Sequence, residues 1–194
     1  MLGFYDGFMN VYDFDNTIYQ GDSTFDFYLF CLKRHKKIIT LFPSLCLWAV
    51  KFFILKKVSK TEFKENMFRF LSFAEYPKDL EDFWKTHKNN IKSWYLKNKK
   101  DDDVIISASP YFLLEPICKE LGIKHLIASD VDKKTGKYSG ENCHGKEKVK
   151  RYKKIFPNGE IDKFYSDSKS DTPLAEISKQ AFIVHGDKTE PWKF

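Results

Sequence analysis

Residues 10–17, "NVYDFDNT", set two aspartates one residue apart at the end of an apolar strand. Val11, Tyr12 and Phe14 are strand formers, whereas Asp is depleted from strands and costly to bury without a partner. On an extended chain Asp13 and Asp15 project to the same side. Two carboxylates held that close need a cation or a proton to settle them. Whatever fold the chain adopts must bring compensating groups to the end of this strand, and no other stretch constrains it as much.

The segments that follow indicate where those groups come from. From about Ser23 to Lys99 the texture is helical, broken at Pro43 and Pro77. Within it "TEFKENMFRFLSF" (61–73) places Phe63, Met67, Phe70 and Leu71 at helical spacing. Strand character returns after Asp101–Asp103 with "VIISAS" (104–109), and "PYFLLEPICKELG" (110–122) reads as a helix closed by Gly122. "HLIAS" (125–129) is a further strand, and the next stretch is a hairpin turning near Thr135-Gly136. A basic helix "GKEKVKRYKKIF", a strand over 162–168 and a last strand over 181–186 complete the pattern. Alternating strands and helices imply a parallel sheet wrapped by helices. The first strand belongs to that sheet, so the helical block is an insertion after it. This divides the chain into an α/β core over 1–20 and 101–194 and a helical cap over 21–100. Residues 1–8 carry no structural pattern, which makes Met9 an alternative start. Asp13, Ser107 and Asp167 fall at strand ends, where open α/β sheets bind ligands.

Composition narrows the function classes. With 42% apolar, 31% charged and 17% aromatic residues in 194, the chain can fill a sizeable core. Its net charge is +6, and the basic residues cluster at Lys33–Lys37 and Lys146–Lys154. That balance suits anionic small molecules, a membrane surface or nucleic acid. No nucleic-acid reader motif is present, and a solvated surface accounts for most of the lysines. Cys31, Cys46, Cys118 and Cys143 show neither CxxC nor zinc spacing and read as reduced thiols. With no signal-peptide pattern, a cytoplasmic location is expected. The five histidines form no ligand spacing.

Four stretches carry chemistry together: "DFDNT" (13–17), "IISAS" (105–109), "GKEKVK" (145–150) and "YSDSKSDTP" (165–173). In this order they resemble the haloacid dehalogenase superfamily of aspartate-nucleophile phosphohydrolases. The helical insertion resembles the branch that includes phosphoserine phosphatases and bacterial phosphatidylglycerophosphatases. The resemblance implies a Rossmann-like parallel sheet flanked by helices and a Mg²⁺-dependent phosphatase acting on a small phosphorylated substrate. Asp13 is then the nucleophile, and Asp15 the general acid and later base, with Thr17 orienting the pair. Ser107, with backbone N–H groups around Ala108 and Ser109, binds the transferring phosphoryl. Asp13, Asp15, Asp167 and Asp171 form the metal site, the metal taking the backbone carbonyl at Asp15. One lysine must neutralise the site, and both Lys146 and Lys148 qualify. The register Cys-x-Gly-x-x-Lys-Val in "ENCHGKEKV" selects Lys148, whereas Gly-Lys-x-Lys-Val would select Lys146. A non-catalytic phosphate-binding regulatory module is the reading from another class; retention of Asp15 argues against it.

Substrate signals depart from the phosphoserine form. That form has an acidic residue nine positions after the nucleophile, here Asp22, a cap arginine, and a Gly-Gly after the second-motif serine. Here Ser107 is followed by Ala-Ser-Pro, and Arg34 and Arg69 are the only cap arginines. The cap also holds "IITLFPSLCLWAVKFFIL" (38–55), in which only Thr40, Pro43, Ser44 and Lys51 are not apolar. A crossing would separate Asp13 from Ser107, Lys148 and Asp167. The expectation is a helix of about three turns after Pro43, with residues 45–55 enclosed in the cap and membrane contact the less favoured reading.

Overall fold

Residues 7–194 are described by the computed structural model. Five strands run parallel: β1 (Phe8–Tyr12), β2 (Val104–Pro110), β3 (His125–Ser129), β4 (Glu160–Ser166) and β5 (Ser178–His185). A sixth, β6 (Lys188–Pro191), returns antiparallel beside β5. The order across the sheet is β3-β2-β1-β4-β5-β6, with β1 in the middle. Tyr12 pairs with Ile105 on one side and Tyr165 on the other. One or two residues further on, all three chains reach Asp13, Ser107 and Asp167 together. β1 begins at Phe8, inside the stretch that carries no pattern in the sequence, and Met9 is fully buried opposite Ile161.

Between β1 and β2 lie α1 (Ser23–Arg34), α2 (Phe42–Ala49), α3 (Lys60–Phe68), α4 (Lys78–His87) and α5 (Ser93–Asn98), with short 3₁₀ segments among them. Local chemistry sets their starts. The Asp22 carboxylate accepts the Phe25 N–H at the head of α1. Ser59 and Glu62 form a reciprocal capping box on α3. In the second half α6 (Tyr111–Glu120), α7 (Lys146–Ile155) and α8 (Thr172–Glu176) link the strands. The predicted hairpin reduces to a single bridge, Val131 with Tyr138, around a turn at Gly136. Gly136 has φ +72° and lies against Phe68, where a Cβ would come within 2.6 Å of the Phe68 side chain. The turn thus braces α3 as well as closing on itself.

The sheet is covered on both faces. Tyr12, Phe14 and Ile105 pack with Phe27, Phe70, Phe83 and Trp84 of the inserted helices. Val11, Val104, Ile106 and Phe164 pack on the opposite face with Tyr152, Phe156 and Leu174. This two-sided burial is why the strands read as near-continuous apolar runs.

The apolar stretch differs from its expectation in two ways. Lys36–Ile54 is one continuous helical path of 19 residues, a 3₁₀ turn leading into α2 and then a π-helical turn at Val50–Ile54. Pro43 does not break it, because it sits in the first turn of α2, where no N–H is required. Nor is the stretch enclosed. Only 6% of it is buried; Trp48 and Phe52 are half-buried, while Phe53 is 65% exposed. The cap interior is already filled by Phe27, Phe68, Phe70, Phe83 and Trp84, so α2 rests on the side of α3, where Ser44 meets Asn66.

At the opposite end of the sheet, Asp103 at the entry to β2 is buried against Asn10 and the Lys100 N–H. Burial pushes its carboxyl up to about 6. A group whose folded value lies above its unfolded one favours the folded state while protonated, and that contribution is lost as pH rises through the folded value. Stability should therefore fall between about pH 4 and pH 6, and Asp103→Asn should flatten that decline. Urea unfolding of both proteins across this range tests it; parallel profiles would refute the assignment.

Candidate active site

The ends of β1, β2 and β4 and the start of α7 open into a cavity of about 820 Å³. Asp13, Asp15, Ser107, Ala108, Ser109, Lys148, Asp167 and Asp171 all line it. Of the two candidate lysines, Lys148 is buried and its Nζ donates to Asp13 Oδ1 at 2.7 Å and Asp171 Oδ2 at 2.7 Å. Lys146 is exposed on the outside of α7, two positions and about 200° around the helix, and does not line the cavity. The left-handed turn at Gly145, φ +57°, starts α7 with Lys148 facing inward.

Asp15 is held apart from any cation by its own partners. Its carboxylate accepts the Ser23 N–H at 2.7 Å and the Ser109 hydroxyl, and Ser109 in turn contacts Thr24 at 2.9 Å. Both side-chain oxygens of Asp15 are thus engaged by protein donors. The Ser109 hydroxyl serves Asp15, and its N–H donates to Ser107 Oγ at 3.1 Å. The Ser107 hydroxyl proton stays available to the cavity. Thr17 is fully buried and accepts the Asp167 N–H at 3.0 Å, tying the loop after β1 to the loop after β4 instead of lining the cavity. Lys92, which the motifs did not single out, braces the same region by donating to the carbonyls of Asn16 and Gly186. Asn16 adopts φ +54°, a conformation Asn tolerates better than most residues.

Burial dominates the electrostatics. It pushes the Asp13 carboxyl up, with Asp171 and Asp15 adding to that and the Lys148 ammonium opposing it. Burial alone would discharge Lys148, but Asp13 and Asp171 outweigh it and hold the ammonium charged. Burial and the neighbouring Asp22 raise Asp15 to about 6. Asp167 is raised by burial and by Asp171. Asp171 accepts both the Lys148 ammonium and, at 2.8 Å, the Ser166 hydroxyl through its Oδ2. Among the described residues no three His, Cys, Asp or Glu side chains converge as an ion-holding group. A cation here would draw on Asp13 and Asp167, with main chain, water and substrate oxygens completing its shell. That all-oxygen, mostly non-protein set fits a small hard divalent ion.

The far wall comes from the cap and was largely invisible in the sequence. Phe25, Phe52, Phe53, Phe63 and Met67 give it an apolar surface, with Lys60 and Lys64 among them. Lys64 donates to the Ala108 carbonyl at 3.4 Å, and burial beside Lys60 lowers it to about 8. His144, one of five histidines without ligand spacing, also faces the cavity. The i, i+4 step from Lys60 to Lys64 on α3 was the one available signal for this basic edge.

Comparison with known proteins fits this geometry. A family model described as haloacid dehalogenase-like hydrolase matches residues 11–176. Protein CicA of Caulobacter vibrioides is 33% identical over 95 residues, 46% of this chain and 42% of that protein. A "probable phosphatase" of Mycobacterium tuberculosis is 32% identical over 94 residues, 45% of this chain and 33% of its own length. The matched region thus spans less than half of either relative. A Bordetella pertussis protein of unknown function shares the fold at TM-score 0.70 and 19% identity, covering 91% of this chain and 89% of its own. With the family match running from β1 through α8, the chain belongs to the haloacid dehalogenase-like hydrolases.

Proposed function

We propose that the protein is a phosphatase that cleaves a phosphomonoester through an aspartyl-phosphate on Asp13. The observation that carries this reading is the joint lining of one cavity by Asp13, Asp15, Ser107 and Lys148, with Asp13 bonded to Lys148. Lys148 engages Asp13 Oδ1, leaving Oδ2 to attack phosphorus. As the Asp13 O–P bond forms, the P–O bond to the leaving group breaks, and Asp15 supplies the proton that the departing oxygen takes. Water then attacks the same phosphorus, giving its proton to Asp15, and the Asp13 O–P bond breaks to release phosphate. A carboxyl raised to about 6 suits a group that first donates and then accepts a proton. Ser107 and Lys148 stabilise charge on the phosphoryl oxygens. Mg²⁺ fits the Asp13 and Asp167 donor set and, when bound, would offset repulsion between carboxylate and phosphate.

The cavity favours a substrate with an apolar body over phosphoserine. Asp22 lines the cavity, with its Oδ1 capping α1. Arg34 pairs with Asp79 and Asp82, and Arg69 with Ser44. Neither arginine lines the cavity, whereas five apolar side chains do.

Three outcomes test the reading. Asp13→Asn should abolish phosphate release from an aryl phosphate, and turnover by that variant would end the mechanism. Excess chelator should remove activity and Mg²⁺ restore it, with Asp167→Ala shifting the Mg²⁺ titration to higher concentration; full activity in chelator refutes the metal assignment. Lys148→Met should lower kcat by about 10²–10³, whereas Lys146→Met should leave it within twofold. Equal losses in the two variants would overturn the choice between them.

A further inference from the structure

The apolar path from Lys36 to Ile54 contains an 18-residue window with a mean hydropathy of 1.7, of which only 6% is buried. Ile39, Phe42, Leu47, Val50, Ile54 and Leu55 are all exposed, Ile54 at 71%. A contiguous surface of this kind on a folded protein marks a place where something else binds. Helices on solvated surfaces turn a polar face to water, whereas this one turns Ile39, Phe42, Leu47, Val50 and Ile54 outward.

Its surroundings identify the occupant. Between Phe27 and Thr61 the chain has eight Lys and Arg and no Asp or Glu, although the chain as a whole carries only +6. The remainder is therefore slightly acidic, and the positive charge is concentrated around this helix. Lys33, Lys36 and Lys37 are exposed at its start, and Lys56, Lys57 and Lys60 at its end. Among the described residues no carboxylate forms an ion pair with any of these six. Lys51, midway along, leans its ammonium over the Trp48 ring at 5.1 Å, an arrangement that keeps a charge beside an indole. An apolar helix bracketed by unpaired lysines is complementary to a surface that is oily inside and anionic at its edge. A second copy of the chain would bring like charges against like.

We propose that residues 39–55 seat the protein on an anionic lipid bilayer, the helix lying in the interface with its lysines among the headgroups. Crossing is ruled out by the fold. β1 precedes this helix and lies between β2 and β4, which follow it, and Lys148 of α7 bonds Asp13 directly. Chain on both sides of the helix thus belongs to one sheet and one side of the membrane. Phe52 and Phe53 belong both to this helix and to the cavity wall, so the seat brings the cavity mouth to the lipid surface. The inference stands on exposure and charge alone and does not depend on the phosphatase reading.

Vesicle co-sedimentation tests it without reference to activity. The full chain should pellet with phosphatidylcholine vesicles containing phosphatidylserine and remain in the supernatant with phosphatidylcholine alone. Added salt should weaken the association, and each lysine neutralised at positions 36, 37, 56 and 57 should reduce partitioning about fivefold. Leu47→Glu with Val50→Glu should lose at least tenfold while thermal unfolding and hydrolysis of a soluble aryl phosphate stay unchanged, since neither residue lines the cavity. Lack of pelleting with anionic vesicles at low salt would overturn the proposal. So would equal binding to both vesicle types, or a dimer in sedimentation velocity that the same double variant dissolves.

Discussion

The Lys148 ammonium lies 2.7 Å from Asp13 and 2.7 Å from Asp171, and all three groups are buried. Removing three charges from water costs several kcal/mol per ion before any attraction is counted. The arrangement holds only because each charge has a partner in direct contact and Asp171 has a further hydrogen bond from Ser166. It joins β1, α7 and the loop after β4, three segments far apart in sequence. A missing member would leave an uncompensated buried charge, so the same contact that prepares Asp13 also locks the sheet's C-terminal end.

Around this triad the structure separates two kinds of carboxylate. Asp13 faces a permanent cation, while Asp15, two residues on, is held by neutral donors from Ser23 and Ser109. Burial raises both carboxyls; the Lys148 ammonium opposes that rise at Asp13, whereas hydrogen bonds from Ser109 and Ser23 oppose it at Asp15. This is how two like groups on one face of a strand end acquire different chemistry. Thr17 and Lys92 contribute indirectly, tying the turn after Asp15 to the loops carrying Asp167 and Gly186. The polar side of the cavity comes from the sheet and its apolar wall from the inserted helices.

The inserted helices are unevenly packed. α1 and α4 bury an aromatic cluster in which the Phe83 ring contacts Phe27, Phe30, Trp84 and His87. α2, the most apolar of them, touches little. Hydrophobic burial requires partner surface, and the partners here are already spent on one another. An apolar helix left over by a filled core becomes a surface for binding.

How far the sequence alone determined this protein follows from which interactions are local. Strand character in "NVYDF" and "VIISAS" and the Gly-closed helix over 110–122 are properties of neighbouring residues, and they were legible. So was the convergence of Asp13, Ser107 and Asp167, because strand ends in a parallel sheet meet at one edge. The motif register that selected Lys148 over Lys146 agrees with burial, since a lysine two positions away on a helix points elsewhere. β6 was missed because Lys188–Pro191 is exposed and polar, and only pairing with β5 makes it a strand. The engagement of Asp15 by Ser23 and Ser109, the cavity wall of Phe52, Phe63 and Lys64, and the exposure of α2 were likewise beyond reach. Hydropathy records what a side chain would gain by leaving water; whether anything remains to cover it is decided only when the rest of the chain has packed.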